Sequence, residues 1–123
     1  MTPVYQEFHE SVIGDCFRAA VASLLDMPLN MVPHLALFNQ HSFSALSLWL
    51  DSQDMCIKEY FPPEFKKLSK SKHYIGVYTL PECTEESHAV IIKNRKVVHD
   101  PNVNGIKLKK LICVLDIAPK SIK

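Results

Sequence analysis

Between Cys16 and Leu25 the apolar residues Phe17, Ala20, Val21 and Leu24 recur at the spacing of one helical face, and Ala19, Ala22 and Leu25 widen that face almost all the way round. A helix with so little polar surface is a buried one, so this stretch predicts the element around which the chain is organised. Gly14 supplies a turn before it, and Asp15 is placed to accept hydrogen bonds from the free amides of the first turn. Asp26-Met27-Pro28 stops it. Cys16 is then the first residue of the helix.

The remainder of the first half is polar or broken by proline. Residues 1 to 13 read as extended and contain Gln6, His9 and Glu10. Pro28 and Pro33 make a compact connector, in which Asn30 caps a short turn through Met31 and Val32. Leu46, Trp49 and Leu50 predict a second amphipathic helix over 44–53, with Ser42 or Ser44 as its cap. Met55 to Tyr60 is a first strand, ended by Pro62-Pro63, and Glu64 to Leu68 forms a single helical turn.

After residue 73 the periodicity changes to that of strands. Tyr74 to Leu80 is rich in β-branched and aromatic residues and is closed by Pro81. His88 to Ile92 and Lys96 to Asp100 flank Lys93-Asn94-Arg95 in a hairpin pattern, Pro101 to Gly105 turns the chain away, and Leu111 to Ile117 supplies a last strand. There is no internal repeat, low-complexity tract or linker. Helices first and an antiparallel sheet afterwards predict one α+β domain over residues 1–123, with the cysteine-bearing helix packed on the sheet.

Composition narrows the function classes without choosing among them. With 123 residues, 47% hydrophobic and 22% charged, the chain can bury a core and does not read as disordered. A net charge of +1 gives no general attraction to nucleic acid or to a membrane surface, and neither is expected as a partner. The lysines at 66, 67, 70 and 72 and those at 107, 109 and 110 read as solvated faces rather than a phosphate track. The N-terminal residues lack the cationic start and apolar run of a signal peptide, and no stretch approaches the ~18 apolar residues of a membrane span. Cys16, Cys56, Cys83 and Cys113 are widely spaced, which suits reduced thiols in a cytoplasm.

Cys16 carries the candidate chemistry. At the positive end of a buried helix a sulfur is favoured as thiolate, although a lone helical cysteine is more often an inert packing residue. A thiol enzyme also needs a base, a group that orients the base, and donors for the oxyanion. His88 opens one strand of the hairpin and Asp100 ends the other. If Lys93-Asn94-Arg95 form a three-residue loop, these two face each other directly, close enough for carboxylate to hold imidazole. A two-residue turn at Asn94-Arg95 shifts the register and puts them on opposite faces, so the pairing demands an odd loop or a bulge. His99 is the rival base but alternates away from Asp100. His34 reads as a surface or packing residue, and His9, His41 and His73 have no acidic partner at strand or helix spacing. A metal site from Cys83, His88 and His99 is the competing chemistry, weakened by the absence of closely spaced cysteines, and no cofactor is expected.

Taken together, Gln6, Gly14-Asp15-Cys16 with its small-residue helix, Ser87-His88-Ala89-Val90-Ile91 and His99-Asp100-Pro101 resemble the papain-like cysteine peptidase fold. The pattern is similar to the leader-processing peptidase domains of bacteriocin exporters and to small phage-encoded proteins of that fold, over residues 3 to 105. The resemblance implies Cys16 as nucleophile, His88 as general acid and base, Asp100 as its orienting residue, and Gln6 as an oxyanion donor beside the Cys16 amide. Phe17 and Arg18 depart from the small or polar residues often found after the nucleophile in that family, and Arg18 is read as supporting the thiolate or binding an acidic substrate. The expected activity is hydrolysis of amide bonds in a peptide or protein substrate, or transpeptidation, in the cytoplasm of a bacterial host. Two alternatives stay open: a catalytically idle binding protein that engages a host protein or nucleotide during phage infection, and cell-wall hydrolysis.

Overall fold

The computed structural model describes residues 1–6, 16–33, 42–81 and 87–120. Its first helix, α1, runs Cys16–Leu24 and buries every residue from Ala19 to Ser23. Ser23 tolerates that burial because its hydroxyl donates to the Ala19 carbonyl (2.8 Å) and accepts from the Val4 amide (2.9 Å). The helix ends where Asp26 enters the left-handed region (φ 57) and the Met27 amide reaches back to the Ala22 carbonyl, a motif that satisfies the last free carbonyls. A short 3-10 turn, Leu29–Met31, follows between the two prolines.

The second helix, α2, is Ser42–Ser52 and buries Leu46 and Leu50 one turn apart, with Trp49 packed beside them. A 3-10 segment over Pro62–Lys67 starts two residues earlier than the sequence suggests. Proline fits the first turn of such a helix, where its missing amide hydrogen has no partner to lose.

Five strands, β1 (Met55–Tyr60), β2 (His73–Thr79), β3 (Ser87–Lys93), β4 (Lys96–His99) and β5 (Lys110–Pro119), form one antiparallel sheet in the order β1-β5-β2-β3-β4. The last strand therefore inserts between the first and second. Its length allows this: it pairs β1 along one edge and β2 along the other, placing Leu115 opposite both Glu59 and Ile75. The α+β arrangement, a helix on an antiparallel sheet, is as the sequence predicts.

Each face of the sheet has its own apolar layer. One is shared with α1 and α2 and includes Ala20, Val21, Leu46, Leu50, Ile75, Ala89 and Ile91. The other, around Tyr74, Val90, Ile92 and Val114, is covered by Phe65, Leu68 and Leu111. Gly76 sits where these strands are tightest, since a β-carbon there would come within 2.9 Å of Ile92. Among the described residues no helix is long and apolar enough to cross a membrane.

Candidate active site

α1 packs on β3 and begins at Cys16, so its positive end points at the start of the strand that carries His88. Cys16 is half-buried and has a free thiol. Gly14 and Asp15, the expected turn and cap before it, lie outside the described residues. His88, the second residue of β3, is buried and hydrogen-bonded to Asp100, and Cys16 lies near enough to act electrostatically on its ring. Its Nε2 lies 2.6 Å from Asp100 Oδ1, which leaves Nδ1 as the nitrogen free to face the sulfur.

The hairpin brings His88 and Asp100 together by a route that differs from a three-residue loop. Asn94 and Arg95 alone make the turn, both with positive φ (54 and 62), the two-residue form that matches strand twist. That turn by itself would put Asp100 on the wrong face. A bulge corrects it: Ile92 pairs with Val97 but Ile91 pairs with His99, so Val98 is an extra residue in β4. Asp100 then lies on the same face as His88, two positions along the strand rather than directly opposite. Diagonal neighbours are about 7 to 8 Å apart at the backbone, a gap that an imidazole and a carboxylate span.

Asp100 is held from the other side as well. Its Oδ1 also accepts the Asn102 amide (2.9 Å) and its Oδ2 the Ile106 amide (3.0 Å). The turn that provides these amides is closed by Gly105, with φ 71, donating to the Asn102 carbonyl. The run Asp100-Pro101-Asn102 before Gly105 is a side-chain-capped turn signature from which these two amide partners are readable.

Charge follows from this geometry. Burial of the His88 ring works against protonation, but the hydrogen bond to Asp100, the neighbouring Cys16 and the Asp100 charge outweigh it and push the imidazole up to about 9. Burial likewise opposes ionisation of Asp100, and the His88 hydrogen bond with the two backbone amides overcomes it, holding the carboxyl below its usual range. The stable arrangement is a protonated imidazole between a carboxylate and a sulfur.

Gln6 reaches the same end of the sheet from the N-terminus. Residues 1–6 run along α1, with the Thr2 amide on the Ser23 carbonyl (3.1 Å) and the Val4 amide on the Ser23 hydroxyl. The Gln6 amide then donates to the Pro101 carbonyl (2.9 Å), next to Asp100, and the residue is buried. His99 secures this strap. Its Nε2 meets the Val4 carbonyl at 2.7 Å, and its ring lies edge-on to Tyr5. It thus faces away from Asp100, as strand alternation requires, and is not a second base.

Arg18 is anchored to the connector. Its Nε donates to the Val32 carbonyl (2.8 Å), tying α1 to the proline-bounded connector. His73 opens β2 opposite Lys93, at the far end of the sheet from His88. His9, His34, His41 and Cys83 lie outside the described residues, and among those described no group of three or more metal-ligating side chains is assembled. Comparison of the chain with protein-family models, with curated proteins and with solved structures returned no match.

Proposed function

We propose that this chain is a cysteine hydrolase of amide bonds on a papain-like fold, acting on a peptide or protein. The observation that carries this reading is the series Asp100, His88, Cys16, in which the carboxylate is hydrogen-bonded to the imidazole and the cysteine that starts a buried helix lies beside the ring. The Cys16 thiolate attacks the amide carbonyl carbon, forming the carbon–sulfur bond as the carbonyl π electrons move to oxygen. The Cys16 backbone amide, at the helix N-terminus, and the Gln6 side-chain amide stabilise that oxyanion. His88 gives its proton to the departing amine nitrogen as the carbon–nitrogen bond breaks, leaving an acyl-enzyme. It then takes a proton from water, whose oxygen displaces the sulfur and releases the acid; an amine in place of water gives transpeptidation. Asp100 keeps the ring oriented with one nitrogen toward the sulfur and stabilises its charge.

Alkylation with iodoacetamide at pH 6, followed by intact-mass and peptide mapping, tests the nucleophile. Cys16 should react first, Cys16→Ala should remove the fast phase, and His88→Ala should slow it by roughly tenfold or more. Equal rates at Cys16 and the exposed Cys56 would sink the reading. Incubation of wild type and Cys16→Ala with a peptide mixture, searched for cleaved or newly joined products, then separates an enzyme from a protein that only binds.

A further inference from the structure

The face of the sheet away from α1 carries a cavity of about 370 Å³, within the range of small-molecule sites. It lies at the turn end of the β3–β4 hairpin, where Asn94 and Arg95 line it. Asn94 is six residues along from His88, roughly 20 Å at the rise of a strand, so this is not the cleft of Cys16.

Its lining separates into two chemistries. Leu68 and Tyr74 give an apolar floor, backed by the fully buried Ile92. Tyr74 is fixed there, edge-on to Tyr60 at 6.5 Å and with its hydroxyl accepting the Ser69 amide at 2.9 Å. Lys66, Lys70 and Arg95 supply the charge, and among the described residues no carboxylate lines the cavity. None of these three cations has an ion-pair partner among the described residues, whereas the neighbouring Lys72 is paired with Asp116 at 2.8 Å. In a chain of net charge +1 that is a local concentration of positive potential, relieved by an anion. Arg95 also stands in left-handed backbone (φ 62) at the second turn position, where glycine would be unstrained. The guanidinium is presented to the cavity despite that cost.

We propose that this cavity binds a phosphorylated small molecule with a ring or other apolar body, its phosphate held by Lys66, Lys70 and Arg95 and its body against the Leu68 and Tyr74 floor. Arginine supplies the planar pair of donors that phosphate oxygens match, and the lysines add charge from either side. A bare phosphate leaves the floor unused.

Titration of the isotope-labelled protein with adenosine 5′-monophosphate, inorganic phosphate and adenosine, followed through the backbone amides, tests this. The monophosphate should shift the amides of Ser69, Asn94 and Arg95 saturably, with phosphate alone or adenosine alone at least roughly tenfold weaker. Arg95→Gly removes the charge while relieving the backbone, so it should stay folded and bind the monophosphate roughly tenfold more weakly or worse. Unmoved amides at millimolar monophosphate, equal affinity for inorganic phosphate, or undiminished binding by Arg95→Gly would each overturn the proposal. So would shifts spread equally over Lys107, Lys109 and Lys110, the signature of non-specific cation contact. The alkylation rate of Cys16 should be the same in Arg95→Gly and wild type, so the two sites are tested independently.

Discussion

His88 and Asp100 meet at 2.6 Å because Val98 is one residue too many for the strand that carries it. Without that bulge the two-residue turn would direct the carboxylate to the opposite face of the hairpin. Inserting one alanine between Val98 and His99 moves Asp100 opposite Ala89, on the other face, and should therefore leave the sheet intact by circular dichroism while breaking the His88–Asp100 bond. The expected readout is a His88 ring that titrates well below its wild-type value and a Cys16 alkylation rate reduced toward that of Cys56. An insertion variant that is folded and still alkylates at the wild-type rate would remove the hairpin from the mechanism.

Asp100→Asn keeps the shape of the side chain but withdraws the charge. It should lower the His88 titration from about 9, because the largest of the opposing effects, burial, then acts with less compensation. If the chain is a hydrolase, turnover should fall by roughly 10²- to 10⁴-fold with little change in substrate binding. Ring-proton or ring-nitrogen resonance shifts followed against pH measure the first effect, and steady-state kinetics on any substrate found measure the second.

Stability should depend on pH in a defined window. His88 is raised from 6.5 to about 9 on folding, so its contribution is fully present below 6.5 and is lost as pH rises through 9. The loss is at most about 3 kcal/mol. Asp100 is lowered, so its contribution is present above 3.8 and is lost as pH falls through its folded value. Urea midpoints should accordingly be highest between these limits. The His88→Asn variant should flatten the alkaline side, and an unchanged alkaline limb in that variant would contradict the assignment.

Cys113 provides an internal control for thiol chemistry. Burial, helped by the charge of Glu59, pushes its thiol up to about 11, so it stays protonated and unreactive across neutral pH. In the folded protein it should be the slowest of Cys16, Cys56 and Cys113 to alkylate, and it should catch up only in denaturant.

Gly76→Ala tests the packing that positions β3. The added methyl group would meet Ile92 at 2.9 Å, and Ile92 is fully buried, so relief requires the strands to shift. The expected cost is about 1–3 kcal/mol, read as a lower urea midpoint with an unchanged slope.

The elements of this fold were legible because each is decided by neighbours along the chain. The alanine-rich period of α1, the β-branched runs and the Pro62-Pro63 break all act locally. Local chemistry also singled out Cys16 at a helix start and His88 and Asp100 on one hairpin. What the local pattern could not decide was anything that depends on which strands touch. The Val98 bulge follows from how β3 and β4 settle against the rest of the sheet, and the β1-β5-β2 order from which edges the last strand can cover. The Arg18 bond to Val32 was out of reach for the same reason, since that carbonyl is placed only when the connector folds back on α1. Sequence by itself determined the element types and the candidate site residues. Only tertiary structure decided the hairpin register, the second face of the sheet and the meeting of sulfur with imidazole, because side-chain periodicity is set within a strand whereas pairing is set by the total burial of all of them.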